Sequence, residues 1–213
     1  MNLFRVIKSS EAVQKIRPIL VFIRTMAVDF SPKLFGKKGH GAIIQLPAHI
    51  LGAKYIHIGE RVSIGSNSYI HAIDNYAGKM YSPQILIGDD VYVGRNCYIN
   101  AISLIEIQEG CVLSEEVYLA DQSHGLDPRG GLIMKQPLTS KGSIVIGAHT
   151  FVGLRAVIMP GVSIGHHCVI GTSAVVTRSI PDFSMVVGNP ARLIKQYNTD
   201  RHEWENIKYE KND

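Results

Sequence analysis

The sequence predicts an all-β chain wound into a parallel β-helix, and three observations carry that expectation. An aliphatic residue returns every six positions in four in-frame blocks. These are Ile58, Ile64 and Ile70; Ile87, Val93 and Ile99; Ile107, Leu113 and Leu119; then Ile146, Val152, Ile158, Ile164, Ile170 and Val176. Four residues after each, a second inward position mostly holds a smaller side chain. It reads Val91, Cys97, Ser103, Cys111, Val117 and Ser123 in the middle blocks, and Thr150, Ala156, Val162, Cys168, Ala174 and Ile180 in the last. Glycine directly follows the aliphatic residue at 59, 65, 88, 94, 147, 153, 165 and 171. A period of six matches neither a helix nor a long alternating strand. It matches a short strand plus a corner, three such units closing a triangular coil of about 18 residues. The smaller inward residue suits the narrow space beside a corner, and Gly and polar residues suit the corner itself.

Taken in order, residues 1–45 are expected to flank or cap the first coil, because solenoid ends need covering. Val13, Ile16, Ile19, Leu20 and Ile23 keep helical spacing there, broken at Pro18. A basic amphipathic helix at a membrane surface, using Arg5, Lys8, Lys15, Arg17 and Arg24, is the alternative reading of that segment. Residues 46–190 form the coil domain. Two excursions interrupt it, 74–84 with Tyr76, Tyr81 and Pro83, and 125–143 with Gly125, Pro128, Gly130, Gly131 and Pro137. A slip of two residues separates Ile99 from Ile107. Insertions at solenoid corners commonly lie on a binding face. Pro160-Gly161 is a turn dipeptide at a corner. Residues 191–213, with Trp204 and Tyr209, are expected to form a short polar helix or tail. In this frame Cys97, Cys111 and Cys168 point inward as small buried residues rather than nucleophiles. His166 and His167 fall on an exposed corner.

Composition narrows the function classes. A chain of 213 residues predicts one domain, and 46% hydrophobic with 19% charged residues is globular. Three Cys without a CxxC form no disulfide framework, so a reducing, cytoplasmic setting is expected. The longest apolar run near the N-terminus, Ile19 to Ile23, is far short of the roughly 20 residues of a membrane span, and no signal peptide is read. A net charge of +4 permits an anionic ligand, but no dense basic run points to nucleic acid.

Of nine histidines, His124 stands apart. It closes its repeat unit and opens the Gly- and Pro-rich excursion, where a loop can shape a cleft around it. Histidine is the usual general base near neutral pH. No GxGxxG, GxxxxGK, HExxH or GxSxG occurs, which weighs against dinucleotide, nucleotide-hydrolase, zincin and serine-hydrolase chemistry.

From Ile87 to Lys195 the chain resembles the hexapeptide-repeat acyltransferases. LADQSHGLDP (119–128) is similar to the segment ending in the catalytic His of maltose and galactoside acetyltransferases. QPLTSKGSIVIG (136–147) is similar to the return from the loop in O-acetyltransferases of surface-polysaccharide gene clusters. IMPGVSIGHHCVIGTSAVVTRSIP (158–181) is the repeat run, and VVGNPARLIK (186–195) is the family's characteristic end.

The resemblance implies a left-handed β-helix and acetyl-CoA-dependent O-acetylation of a sugar, in surface-polysaccharide synthesis. It implies a homotrimer with sites between subunits, and no metal. His124 matches the catalytic base, Asn100 the acceptor-binding Asn, and Asp127 a loop residue on the acceptor side. Gly153, Leu154 and Thr172 match the wall of the pantetheine groove. Arg192 and Lys195 match basic residues near the coenzyme phosphates, and Thr177 and Arg178 are further candidates.

The chain departs from the pattern at Phe151, where many relatives carry Trp, at Leu154-Arg155, where the pair is often small, and at the unmatched 74–84 excursion. Alternatives on the same fold are an amino-sugar N-acetyltransferase and an antibiotic acetyltransferase. A non-catalytic scaffold is the alternative outside enzymes. A γ-carbonic-anhydrase type of zinc site expects a His-x₄-His pair, and no two histidines here are five apart.

Overall fold

A six-residue period can bury one aliphatic side chain per strand only if successive coils stack in register. The computed structural model describes residues 34–207 and has that stacking throughout. Three sheets of parallel strands form the faces of a triangular column. The first face runs from Lys37–Lys38 through Ile56–Ile58, Gln84–Ile87, Leu104–Ile107 and Ile144–Ile146 to Ser163–Ile164. The second starts at Ile43–Ile44 and climbs to Ser184–Val187. The third starts at His49–Leu51 and ends at Val175–Val176. Register follows the repeat: Ile64 lies beside Val93, Val93 beside Leu113, and Leu113 beside Val152.

All fifteen ladder residues are at most 3% exposed. Each such burial contributes about 1.5–3 kcal/mol, so the stacked ladder is the principal apolar support of the column. The first face adds a second inward row, Ile56, Ile85, Ile105 and Ile144, all fully buried. That row sits two residues before the ladder and falls outside the six-residue period. The smaller inward positions are also buried, from Val91 and Cys97 to Cys168 and Ala174. Ser103 and Ser123 are exceptions and are exposed, and Ile180 is half-buried. At the first, just before the two-residue slip, Ala101 fills the core instead. At the second, the chain has already left the coil.

The corner glycines serve a purpose other than the one expected. Left-handed backbone falls two residues after the glycine position, at Asn67, Asp90, Asn96, His149, Arg155 and His167 among others. The glycine itself admits the next coil. A Cβ on Gly153 would lie 2.7 Å from the backbone nitrogen of Thr172. Gly161 needs glycine for both reasons: its φ is 82°, and a Cβ there would lie 2.7 Å from the carbonyl oxygen of Lys141.

At the start, the helical expectation for the N-terminal segment lies outside the described residues. Parallel pairing already begins at Lys37, opposite His57, within the segment read as flanking. At the far end, the expected short helix is replaced by strands. Arg192–Asn198 pairs antiparallel with Ser184–Val187, and Glu203–Asn206 pairs with it in turn. This hairpin covers the open edge that a column end otherwise leaves to water. Tyr209 lies outside the described residues. His166 and His167 do occupy a corner, their rings against Phe183, His167 exposed as expected and His166 half-buried. Among the described residues no helix is long and apolar enough to cross a membrane.

Candidate active site

The site begins at the slip. Two extra residues between Ile99 and Ile107 leave the amides of Ile102 and Ser103 outside the regular ladder. The carboxylate of Asp121 accepts both, at 2.9 and 2.8 Å. Asp121 is fully buried. Burial pushes its carboxyl above the usual range, opposed by the amides of Ile102, Ser103 and Leu104. Sequence reasoning misses this residue. Its signal is an acidic residue directly after the inward end of a strand, one coil beyond a frame slip.

Three residues on, Ser123–His124 leaves the column and pairs antiparallel with Leu138–Thr139, His124 opposite Leu138. The excursion is therefore a long hairpin rooted on the candidate base. Gly125 donates to the Pro137 carbonyl at 3.0 Å. Inside it, Gln136 accepts the Asp127 amide at 3.0 Å and donates to the Asp127 carbonyl at 2.9 Å. The Asp127 carboxylate accepts the Arg129 amide at 2.9 Å, closing a turn. Asp127 is exposed and stands off the cavity wall.

His124 is half-buried, and its Nδ1 is enclosed without a hydrogen-bond partner among the described residues. Its ring meets the ring of Tyr76 edge to face, centroids 5.4 Å apart. Tyr76 comes from the other excursion, a small hairpin pairing Asn75–Tyr76 with Lys79–Met80. Ala77 and Gly78 make its turn, both left-handed at φ 49° and 77°, the geometry a two-residue hairpin needs. The two insertions that interrupt the repeat thus meet at His124.

His124 lines a cavity of about 660 Å³, within the range of small-molecule sites. Tyr118, Ala120, Gln122 and Ser123 lead to it on the same strand run, and Leu126 and Lys141 come from the ends of the long hairpin. Met159, Pro160 and Thr177 form the wall from the next two coils. Among the described residues, Lys141 is the one Lys, Arg, Asp or Glu on this wall.

The structure thus brings His124 and Thr177 together, with Arg178 following Thr177 in the chain. Asn100 stands one coil away, its neighbour in register being Ala120. Its Oδ1 is enclosed and has no partner among the described residues. Gly153, Leu154 and Thr172 sit at the adjacent vertex, across the third face. There the Ser173 amide donates to the Leu154 carbonyl at 2.8 Å. Arg192 and Lys195 lie on the terminal hairpin beside the second face. One chain thus carries the candidate residues in three groups. Among the described residues no cluster of His, Cys, Asp and Glu is placed to hold a metal ion.

Comparison with known proteins agrees with this architecture. The family model described as the hexapeptide repeat of succinyl-transferase matches residues 84–119 and 143–178. WbbJ of Escherichia coli, named for O-acetyl transfer in lipopolysaccharide biosynthesis, is 29% identical over 110 residues. That match takes in 49% of this chain and 56% of WbbJ. The chain spans between 30% and 56% of the length of the first curated relatives it matches. A hexapeptide-repeat acetyltransferase of Vibrio cholerae, solved with acetyl coenzyme A, superposes with a TM-score of 0.52 at 27% identity. It covers 80% of this chain and 76% of its own. A variant of AntD, an N-acyltransferase from Bacillus cereus solved with dTDP and coenzyme A, superposes with a TM-score of 0.68 at 19% identity. It covers 81% of this chain and 90% of its own, a likeness of fold. Coil stacking, repeat and relatives agree on a left-handed parallel β-helix of hexapeptide repeats, the fold of the hexapeptide-repeat acyltransferases to which the chain is similar.

Proposed function

We propose that this chain is an acetyl-CoA-dependent O-acetyltransferase acting on a sugar hydroxyl, in surface-polysaccharide synthesis in the cytoplasm. The observation that carries the reading is His124, half-buried on the wall of a ligand-sized cavity at the root of the long hairpin. Its Nδ1 is enclosed, which leaves Nε2 as the nitrogen open to the cavity. In this reading Nε2 takes the proton of the acceptor hydroxyl. Asn100 binds the acceptor, and its enclosed, unpaired Oδ1 supports that role, since a buried acceptor atom without a donor is costly.

The cavity fits an acetyl thioester, because its wall combines apolar Met159 and Pro160 with the Thr177 hydroxyl and the Lys141 ammonium. Bound acetyl-CoA supplies the activated acetyl group. Thr177 and Arg178 hold it at the cavity, Gly153, Leu154 and Thr172 line its arm, and Arg192 and Lys195 meet its phosphates. These groups occupy separate vertices of one chain, so a homotrimer in which neighbours complete each site belongs to the proposal. WbbJ's name supports a polysaccharide acceptor. A second reading is acylation of an amino sugar, as another AntD variant of the same fold was solved with dTDP-4-amino-4,6-dideoxyglucose and coenzyme A.

The deciding experiment measures thiol release from acetyl-CoA against hydroxyl sugars, amino sugars and nucleotide sugars, for wild type and His124→Ala. General-base catalysis is worth roughly 10²–10⁴-fold, so turnover should fall by at least about a hundredfold in the variant while coenzyme still binds. Release dependent only on amino sugars would move the function to N-acetylation. Turnover unchanged by His124→Ala would remove the base.

A further inference from the structure

We infer that the 74–84 hairpin is a positioning device for His124, with Tyr76 as its working residue. The hairpin is built onto the column independently of the site. Asp74 at its root accepts the Tyr55 hydroxyl at 3.1 Å and pairs with Lys54 at 3.5 Å. The Tyr81 amide closes the base by donating to the Asp74 carbonyl at 2.9 Å. From that footing two tyrosines reach across to the long hairpin. The Tyr76 hydroxyl donates to the Met134 carbonyl at 2.8 Å, and the Tyr81 hydroxyl donates to the Leu138 carbonyl at 3.0 Å. Leu138 is the residue paired with His124. Tyr81 therefore fixes the backbone opposite the base, while the Tyr76 ring fixes the imidazole itself.

That support matters because, among the described residues, the imidazole has no hydrogen-bonded anchor at Nδ1. That nitrogen is enclosed, and no described residue bonds to it to set the ring's rotation. A histidine base is normally oriented by a partner on its second nitrogen. Here the edge-to-face contact with Tyr76 is the constraint that remains. A base that turns freely loses the geometry on which the reaction rate depends, and small misplacements cost up to about 10²-fold. Tyr76 acts through His124 and touches no reacting atom. It is a positioning residue.

The inference rests on the acetyltransferase reading for its effect on rate, but its effect on His124 can be read without turnover. The variants are Tyr76→Phe, which keeps the ring and loses the Met134 tether, and Tyr76→Leu, which loses both. Imidazole resonances are followed by NMR in the whole protein with labelled histidine, His124 being assigned by its absence from His124→Gln. In Tyr76→Leu the His124 signals should shift and broaden, and kcat should fall roughly 10–100-fold, with KM for acetyl-CoA within about twofold. In Tyr76→Phe both should stay near wild type, and thermal melts of each variant check that the column is folded. Unmoved His124 signals in a folded Tyr76→Leu protein would overturn the inference, as would an equal disturbance in Tyr76→Phe. Wild type without acetyl transfer to any acceptor would count against the function, while the NMR comparison would still decide the positioning.

Discussion

Cys97, Cys111 and Cys168 show what a single inward corner residue does. Each is buried, and each thiol donates to a carbonyl on the next coil. The partners are Ser114 at 3.2 Å, Gly147 at 3.1 Å and Pro181 at 3.1 Å. The Thr150 hydroxyl does the same toward Gly165 at 2.9 Å, and Ser68 toward Gly94 at 3.2 Å. The frame of the repeat discloses the burial of these positions but not the bond. A corner leaves a carbonyl pointing along the column, and a small donor satisfies it where a large side chain has no room. Burial pushes the thiols of Cys97 and Cys111 up to about 11 and raises that of Cys168 as well. A thiolate is the reactive form. The folded protein should therefore resist a disulfide reagent at neutral pH, and all three thiols should react once it is unfolded in guanidinium. Rapid labelling of the native chain would show that a corner opens locally.

At the scale of an element, the long hairpin depends on a residue outside it. Asp121 holds the slipped amides of Ile102 and Ser103, and the strand it ends delivers His124. In Asp121→Asn one carboxylate oxygen becomes an amide donor that faces a donor. One buried N–H then lacks an acceptor, which costs about 1–3 kcal/mol. Denaturant unfolding should show that loss, and acetyl transfer should weaken with it, because the slip and the hairpin root share this contact. Unchanged stability would mean that another group reaches those amides. The same contact shows what the sequence could disclose. His124 was legible because it borders the excursion along the chain. Asp121, Tyr76 and Gln136 were not, because their partners depend on which coils become neighbours and how two insertions fold over each other. Aspartate and glutamine in a polar stretch carry no periodic signal.

At the scale of the whole molecule, one repeat determines one column. The ladder was legible because every coil buries the same positions, so the pattern repeats through the chain. The extra isoleucine row and the terminal hairpin were not, because each occurs outside the period. Stacking also sets where charges meet. At the corners the left-handed residues of successive coils lie close together, and several are charged. Arg61 makes a two-pronged pair with Asp90, both bonds at 2.7 Å, and Arg155 pairs with Glu116 at 2.6 Å. The guanidinium groups hold the Asp90 and Glu116 carboxyls below their ordinary range. A carboxylate whose folded pKa is depressed adds stability that is fully present above the unfolded value. That stability is lost as pH falls through the depressed one. These pairs are exposed, so the effect is modest and screened by salt. The double variant Asp90→Asn, Glu116→Gln should melt slightly below wild type at neutral pH and low salt. The gap should close as pH falls from roughly 5 toward 3, and about 1 M salt should narrow it at neutral pH. Thermal melts across that range test the sign directly. A gap that is constant with pH would mean that the corner pairs are not coupled to folding, leaving the buried ladder and the hydrogen bonds between strands to hold successive coils together.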